Sequence, residues 1–280
     1  MNRFLVVLVA AALLLLSCGR NRQASPVDTP VDSADVEVAD TTEVDSLELL
    51  VTDTPMPKAA DELFDDFIFN FAANRKLQME RIHFPLPVTR NGQTEDVTRE
   101  QWKIERFFLH QDYYTVLFDS ERQMALMNDT SVRRATVEKI YFNTGAVIQY
   151  AFSRIHGAWM LLSVKTDPIA ANRNASFLDF YHKFVTDSVF QSESLHETVQ
   201  FTGPDPDDDF SQMEGVITAD TWPAFAPELP EKMIYNIVYG EPTKPTGSMI
   251  FMMRGIANGF EQTLTFKLHN GHWKLTKLNT

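Results

Sequence analysis

Residues 64–83, FDDFIFNFAANRKLQMERIH, align without a gap to residues 177–196, FLDFYHKFVTDSVFQSESLH. In both stretches phenylalanines recur three and four residues apart, which places them on one face of a helix. Similarity of this kind between two parts of one chain indicates an internal duplication. The matched pairs are Phe64 with Phe177, Asp66 with Asp179, Phe67 with Phe180, Phe71 with Phe184, Gln78 with Gln191, Glu80 with Glu193, Ile82 with Leu195 and His83 with His196.

The similarity continues to the end of each copy. HGAWML at residues 156–161 matches NGHWKL at residues 270–275, and each glycine follows a residue suited to a two-residue hairpin turn. Between these ends, Thr98 and Trp102 correspond to Thr218 and Trp222, and residues 113–116 to residues 234–237. Each copy therefore predicts an N-terminal helix, a variable middle and antiparallel strands. The predicted strands span residues 137–142, 147–155 and 159–165, then 249–253, 262–268 and 273–278.

Helices followed by a run of antiparallel strands form an α+β domain. This order, with its closing strand, turn, Gly-x-Trp and strand, resembles the nuclear-transport-factor-like fold, also called ketosteroid-isomerase-like or cystatin-like. It also resembles a family of envelope lipoproteins of unknown function with that fold. The resemblance implies two tandem cone-shaped domains, each an N-terminal helix packed on a curved antiparallel sheet. We place the first α+β repeat at 59–167 and the second at 168–280.

The N terminus has the three-part pattern of a signal peptide. Arg3 precedes an apolar run at residues 4–16, which is too short to span a bilayer. Residues 15–18, LLSC, resemble the lipobox of bacterial lipoproteins, which implies cleavage after residue 17 and acylation of Cys18, with palmitate among the lipids. Cys18 is the only cysteine of the chain. An uncleaved anchor helix and a chance cysteine at the end of a leader are the alternatives.

Residues 18–58 are predicted to be an acidic, disordered linker behind the lipid anchor. From residue 23 onward they are rich in Pro, Thr, Ser, Asp and Glu and contain no aromatic residue. The segments at 32–34, 40–42 and 45–47 resemble an O-glycosylation sequon of exported bacterial proteins. No acidic cluster follows Cys18 directly, which favours the periplasmic face of the outer membrane over the cell surface.

A formal net charge of −13 argues against nucleic acid as a partner, because phosphate binding needs a basic surface. We therefore expect membrane contact through the lipid on Cys18, and a small molecule or a protein of the envelope as the partner. Members of the resembled fold often dimerise through the sheet, so the duplication implies a monomer with an internal pseudo-dimer. No cofactor and no metal is predicted.

The sequence offers six candidate site residues. In related enzymes of the fold a carboxylate base and hydroxyl donors line the pocket, and Asp112 with Tyr114 is the nearest equivalent here. Glu80 with His83, and Glu193 with His196, stand three residues apart and would share one face of a helix. Two ligands are fewer than the three or four that zinc needs. For all six residues the alternative is a purely structural role.

Three functions remain open at this point. The first is a lipoprotein that binds a ligand or a protein partner without catalysis, which the absence of catalytic motifs favours. The second is a pocket enzyme for a small apolar or carbohydrate-like substrate. The third is a structural scaffold, which requires both cones to be filled by their own side chains.

Overall fold

The computed structural model describes the chain after residue 60, so the predicted signal peptide, Cys18 and the linker lie outside the described residues. Within this part no helix is long and apolar enough to cross a membrane. The described range is 61–280, without His110, Pro206 and Ala257 and without the side chains of Asp209 and Phe210.

Both repeats contain a pair of helices followed by six strands. The first repeat comprises α1 (Phe64–Ala73), α2 (Arg75–Glu80), β1 (Leu86–Arg90), β2 (Gln93–Val97), β3 (Tyr113–Phe118), α3 (Glu121–Met124), β4 (Arg134–Tyr141), β5 (Ala146–Ile155) and β6 (Ala158–Pro168). The second comprises α4 (Ala175–Thr186), α5 (Ser188–Glu193), β7 (Leu195–Asp205), β8 (Asp208–Ile217), β9 (Met233–Tyr239), β10 (Ser248–Gly255), β11 (Glu261–His269) and β12 (His272–Asn279). The α+β prediction is confirmed, and every predicted strand is present.

The twelve strands form two six-stranded sheets. Sheet 1 has the order β2-β1-β6-β5-β4-β9, and sheet 2 has the order β8-β7-β12-β11-β10-β3. Neighbours are antiparallel except for one parallel pair in each sheet, β1 with β6 and β7 with β12. The two orders are equivalent, but one strand of each sheet comes from the other repeat. The strand next to β4 in sheet 1 is β9 of the second repeat, and the strand next to β10 in sheet 2 is β3 of the first. The repeats have therefore exchanged their third strands, and the predicted boundary at residue 167 separates repeats of sequence rather than sheets.

A capping residue separates the two helices of each pair. Asn74 accepts a hydrogen bond from the Leu77 N–H at 2.9 Å, and Asp187, at the same repeat position, accepts from the N–H groups of Val189 and Phe190 at 2.9 and 3.0 Å. A side-chain oxygen at this position satisfies N–H groups that the first helical turn leaves unpaired. The chain therefore ends one helix and starts another at the same position in both repeats.

The matched glutamines make the same polar contacts in both repeats. In each, the side-chain amide donates to a carbonyl near the end of the first helix, and the side-chain oxygen accepts from a tryptophan N–H. The donors, acceptors and distances are Gln78 to Phe71 (3.0 Å), Trp102 to Gln78 (2.9 Å), Gln191 to Phe184 (3.1 Å) and Trp222 to Gln191 (2.9 Å). The duplication is thus present in the buried hydrogen bonds as well as in the sequence.

The phenylalanines predicted to share a helix face pack edge-on against rings of the sheet. This is the geometry that aromatic pairs prefer, and it adds to the free energy of burial. The ring-centroid distances are 4.9 Å for Phe64–Trp159, 5.3 Å for Phe71–Phe152, 5.3 Å for Phe177–Trp273 and 5.3 Å for Phe184–Phe266. Each repeat therefore has its own aromatic core between helix and sheet.

The closing hairpins have the two-residue turns that the sequence predicts. His156 and Gly157 have φ values of 51° and 87°, and Asn270 and Gly271 have 50° and 81°. Two successive positive φ angles define the turn whose twist matches antiparallel strands, and glycine adopts such an angle without a steric penalty. This prediction is confirmed.

The sequence alignment of the third strands, residues 113–116 with 234–237, is wrong by one residue. Val137 of β4 and Phe251 of β10 are equivalent residues, and each faces the helices of its own repeat. Val137 pairs with Ile237 of β9, and Phe251 pairs with Leu117 of β3. Ile237 and Leu117 must therefore be equivalent as well. A shift of one residue turns a side chain to the opposite face of a sheet, so the error changes which residues point into each core.

The exchanged strands β3 and β9 contact each other where the two sheets meet. The Thr115 hydroxyl donates to the Tyr235 carbonyl at 2.6 Å, and the Leu117 N–H donates to Asn236 Oδ1 at 2.8 Å. The Asn236 amide in turn donates to Glu138 Oε2 at 2.7 Å. A single buried asparagine therefore connects β3 to β9 and to β4.

We expect Asn236→Ala to lower the free energy of unfolding by about 2–3 kcal/mol, because the buried Leu117 N–H and the Glu138 carboxylate each lose a partner. Urea unfolding followed by circular dichroism measures the change. Asn70→Ala removes an amide that donates to the Asp66 carbonyl at the surface, and this control should lose less than about 1 kcal/mol. Equal losses in the two variants would contradict the role assigned to Asn236.

Candidate ligand-binding site

A cavity of about 430 Å³ lies on the helix-bearing face of sheet 1. Strands β1, β2, β5 and β6 form its floor, and the segment between β2 and β3 forms its wall. Apolar side chains of the sheet alternate along it with charged and hydroxyl groups. Those that define its chemistry are Arg90, Glu95, Trp102, Glu105, Tyr150 and Thr166.

Glu105 is the centre of a polar cluster in this wall. Its carboxylate accepts from Lys139 Nζ at 2.5 Å and from the Tyr150 hydroxyl at 2.7 Å. The backbone of Glu105 is fixed as well, since Gln78 donates to its carbonyl at 2.9 Å and accepts from its N–H at 2.7 Å. The glutamine that fixes the helix pair therefore also positions the carboxylate.

The ion pair of this cluster is sheltered from solvent. The side chains of Lys139 and Glu105 are 10% and 21% exposed. Lys139 Nζ lies 5.5–5.9 Å from the ring centroids of Phe107, Tyr150 and Tyr235. Aromatic faces attract a cation at such distances and offset part of the desolvation cost of burying it.

The tyrosines of the cluster stay protonated at neutral pH. Burial raises the pKa of Tyr150, and the adjacent Glu105 charge raises it further. The pKa of Tyr235 is raised by the same two causes in the same order. Both phenols are therefore hydrogen-bond donors rather than bases.

The corresponding positions of the second repeat carry no ionic cluster. Met253 and Leu264 stand in sheet 2 where Lys139 and Tyr150 stand in sheet 1, and both are buried in an apolar core with Trp222. The match of Trp102 with Trp222 places Phe225 opposite Glu105, and the ring of Phe225 packs at 5.3 Å on Phe201. The two cones therefore differ in chemistry although they share a scaffold.

A second polar cluster surrounds Asp65 near the start of α1. Its two carboxylate oxygens accept from the hydroxyls of Tyr239 at 2.5 Å and Tyr114 at 3.2 Å. Burial raises the pKa of Asp65, and this effect exceeds the lowering by the two tyrosine hydrogen bonds and by Arg254. The cluster borders a pocket of about 400 Å³, which the loop after β10 helps to form.

Of the six predicted site residues, only Tyr114 lies in either cluster. Asp112 is exposed and contributes its backbone carbonyl, which accepts from the Ile256 N–H at 3.1 Å. The pairing of Tyr114 with Asp112 is therefore wrong, since its hydroxyl bonds to Asp65. Closeness in the sequence suggested Asp112, whereas the carboxylate that Tyr114 contacts lies 49 residues away.

The predicted Glu–His pairs do not share a helix face. Both short helices end at the glutamate, so His83 lies beyond α2 and His196 lies in β7. Glu80, His83 and Glu193 are exposed, and the ring of His196 lies 5.5 Å from that of His269. Among the described residues, no group of three metal-ligating side chains comes together.

Asp65 and Glu105, the centres of the two clusters, are not among the predicted site residues, although the sequence contains a signal for each. Asp65 occupies a helix position where the other repeat has Leu178. Glu105 is paired with Lys139, a charged residue within an otherwise apolar face of a strand. A charge that replaces an apolar residue in one of two repeats is a sign of specialisation.

A family model described as a domain of unknown function, DUF4348, matches residues 43–280. The chain belongs to the DUF4348 family. The DUF4348 chain is also similar to the crystal structure of an NTF2-like protein from Bacteroides fragilis, with 41% sequence identity and a TM-score of 0.72 over 80% of this chain and 98% of that one. No curated protein matches the chain.

The likeness to the Bacteroides fragilis structure agrees with the α+β fold found here. The resemblance to the nuclear-transport-factor-like fold is therefore confirmed, and the fold leaves the function open.

Asp65→Asn should change the pH dependence of stability of the DUF4348 chain. The folded-state pKa of Asp65 is raised above the unfolded value. Its contribution to the free energy of unfolding is therefore fully present below the ordinary aspartate pKa, about 3.9, where the carboxyl is protonated. This contribution is lost as pH rises through the folded-state pKa. Relative to the wild type, the variant should gain stability from about pH 4 upward and then reach a plateau. Urea unfolding across this range measures it.

Asp66→Asn removes an exposed carboxylate next to Asp65 and controls for the change in net charge. If the stability of Asp65→Asn relative to the wild type stayed constant or fell as pH rises, the assigned environment of Asp65 would be contradicted.

Proposed function

We propose that the DUF4348 chain is a lipid-anchored envelope protein that binds a small polar ligand in the cavity of its first repeat without catalysis. The observation that carries the proposal is the Glu105–Lys139–Tyr150 cluster in the wall of a cavity of about 430 Å³. Ligand sites in proteins are concave, largely apolar and contain a few fixed polar groups. This cavity is concave and places fixed polar groups beside the apolar side chains of Val88, Ile148 and Val164, whereas the matched positions of the second cone are filled by its own side chains.

The lining of the cavity favours a ligand with several hydroxyl or amide groups and one apolar face. Trp102 offers an aromatic surface, and Val88 and Val164 add apolar floor. Arg90 and Glu95 can donate to and accept from such a ligand at its edge. A carbohydrate-like molecule combines these features.

Binding without chemistry is supported by the state of Glu105. Both of its oxygens already accept hydrogen bonds, one from Lys139 and one from Tyr150. A general base needs a lone pair directed at the substrate, and Glu105 would have to give up a partner to provide it. The cluster therefore serves as a preformed recognition surface.

Catalysis is the competing proposal, and the observation that favours it is the raised pKa of Asp65 beside a pocket. Perturbed carboxyl groups next to cavities are candidates for acid–base chemistry. Tyr114 and Tyr239 hold both oxygens of Asp65 in the structure, so a substrate would have to displace one of the hydroxyls. We therefore rank this proposal second and a pure scaffold third.

The chain is further proposed to act as a monomer that contains its own pseudo-dimer. The exchanged third strands contribute seven paired residues on one side, from Ala135 to Tyr141, and six on the other, from Ile250 to Gly255. These pairings support the idea that the contacts of a dimer are provided within one chain.

The ligand proposal predicts that filling the cavity removes the ligand. Thr166→Phe places a ring in the cavity, because Thr166 lines it. Native mass spectrometry of the full-length protein, released from membranes by a mild detergent, should show a bound mass in the wild type that is absent from this variant. Ser163→Phe adds the same ring to the opposite face of β6 and should retain the bound mass.

A bound mass that survives in Thr166→Phe would place the ligand elsewhere. A wild-type protein that carries no bound mass would instead favour the scaffold.

The anchor proposal predicts that Cys18→Ser abolishes membrane attachment. Without a thiol no lipid can be attached, and a chain without an anchor has no other proposed contact with the bilayer. Metabolic labelling with palmitate and separation of membranes from soluble fractions measure the effect. Labelling that persists in Cys18→Ser, or an unlabelled wild-type chain, would contradict the lipobox assignment.

A further inference from the structure

The outer face of sheet 2 holds a depression of about 510 Å³ that is separate from both polar clusters. It lies on the face away from α4, since its residues in β11 alternate with the core residues Leu264 and Phe266. Strands β7, β10, β11 and β12 form it. Its donor groups include Lys267, Lys277, His196, His269, Thr198 and Thr265.

The depression is cationic in a chain whose net charge is −13. Two lysines line it, and among its lining residues Glu121 is the only acidic one. The ion pairs found among the described residues involve neither Lys267 nor Lys277. One concave surface thus carries two ammonium groups that have no carboxylate partner in the described part of the chain. The fold does not need these charges for its stability.

The positive charge is specific to the second repeat. Trp159 and Trp273 fix an offset of 114 residues between the closing strands, as the numbering shows. At this offset the positions of Lys267, His269 and Lys277 are occupied in the first repeat by Ser153, Ile155 and Ser163. The same scaffold therefore exists in this chain with and without the lysines.

We propose that this depression binds a small hydroxylated oxyanion, of the class of a phosphate-bearing sugar. Lysine ammonium groups bind phosphate as compact point charges, and hydroxyl and imidazole groups add hydrogen bonds to the remaining oxygens. A volume of about 510 Å³ is in the range of sites for small molecules. The site is independent of the cavity in the first repeat and would stand if that proposal failed.

The test is a calorimetric titration of the full-length chain with glucose 6-phosphate, inorganic phosphate and glucose. The double variant K267S/K277S introduces the residues of the first repeat at the matched positions, so the strands retain residues that this scaffold accepts. Lys232→Ser removes one charge at an exposed position outside the depression. Circular dichroism and unfolding in urea confirm that each variant is folded.

We expect glucose 6-phosphate to bind at least about tenfold more tightly than glucose, and K267S/K277S to lose at least about tenfold in affinity, because each ammonium contributes a charged hydrogen bond. Lys232→Ser should bind as the wild type does. Inorganic phosphate should bind more weakly than glucose 6-phosphate, since it lacks the hydroxyl groups.

Three results would overturn the proposal. The first is the absence of measurable binding, and the second is binding that K267S/K277S leaves unchanged. The third is equal affinity for glucose 6-phosphate and inorganic phosphate, which would reduce the site to one for free phosphate.

Discussion

Pairing of β4 with β9, and of β10 with β3, is the contact on which the rest of the structure depends. Without it β4 and β10 would be edge strands with a row of unpaired N–H and C=O groups, a surface that invites aggregation. The exchange pairs both strands at once and brings β3 against β9. It also places Tyr114, from the first repeat, on sheet 2, where its hydroxyl can reach Asp65 on α1. Both polar clusters thus include a tyrosine from an exchanged strand.

The sequence predicts those parts of the fold that local patterns determine. The spacing of the phenylalanines locates α1 and α4, and Gly157 and Gly271 locate the closing hairpins, because a helix face and a turn are encoded within a few residues. The exchange of third strands could not be predicted in this way. The same pattern of alternation allows each third strand to pair with β4 or with β10, and the choice depends on contacts between residues that are 92 to 142 positions apart.

The site was predicted less well than the fold for a related reason. Asp65 and Glu105 gain their properties from tyrosines and a lysine that lie far away in the sequence, so their surroundings are visible only once the sheets are assembled. Glu80 and His83 show the opposite error, since a spacing of three residues suggests a shared helix face only if the helix continues. It ends at Glu80, and the histidine points elsewhere.

The exchange also has a consequence for assembly. A single repeat with this topology would leave one edge of β4 open, and two copies could complete each other by swapping third strands, as domain-swapped homodimers do. Here both repeats belong to one chain, so the exchange does not depend on protein concentration. The interiors of the repeats can therefore differ without loss of the pairing: the first contains an ion pair, and the second has methionine and leucine at the matched positions.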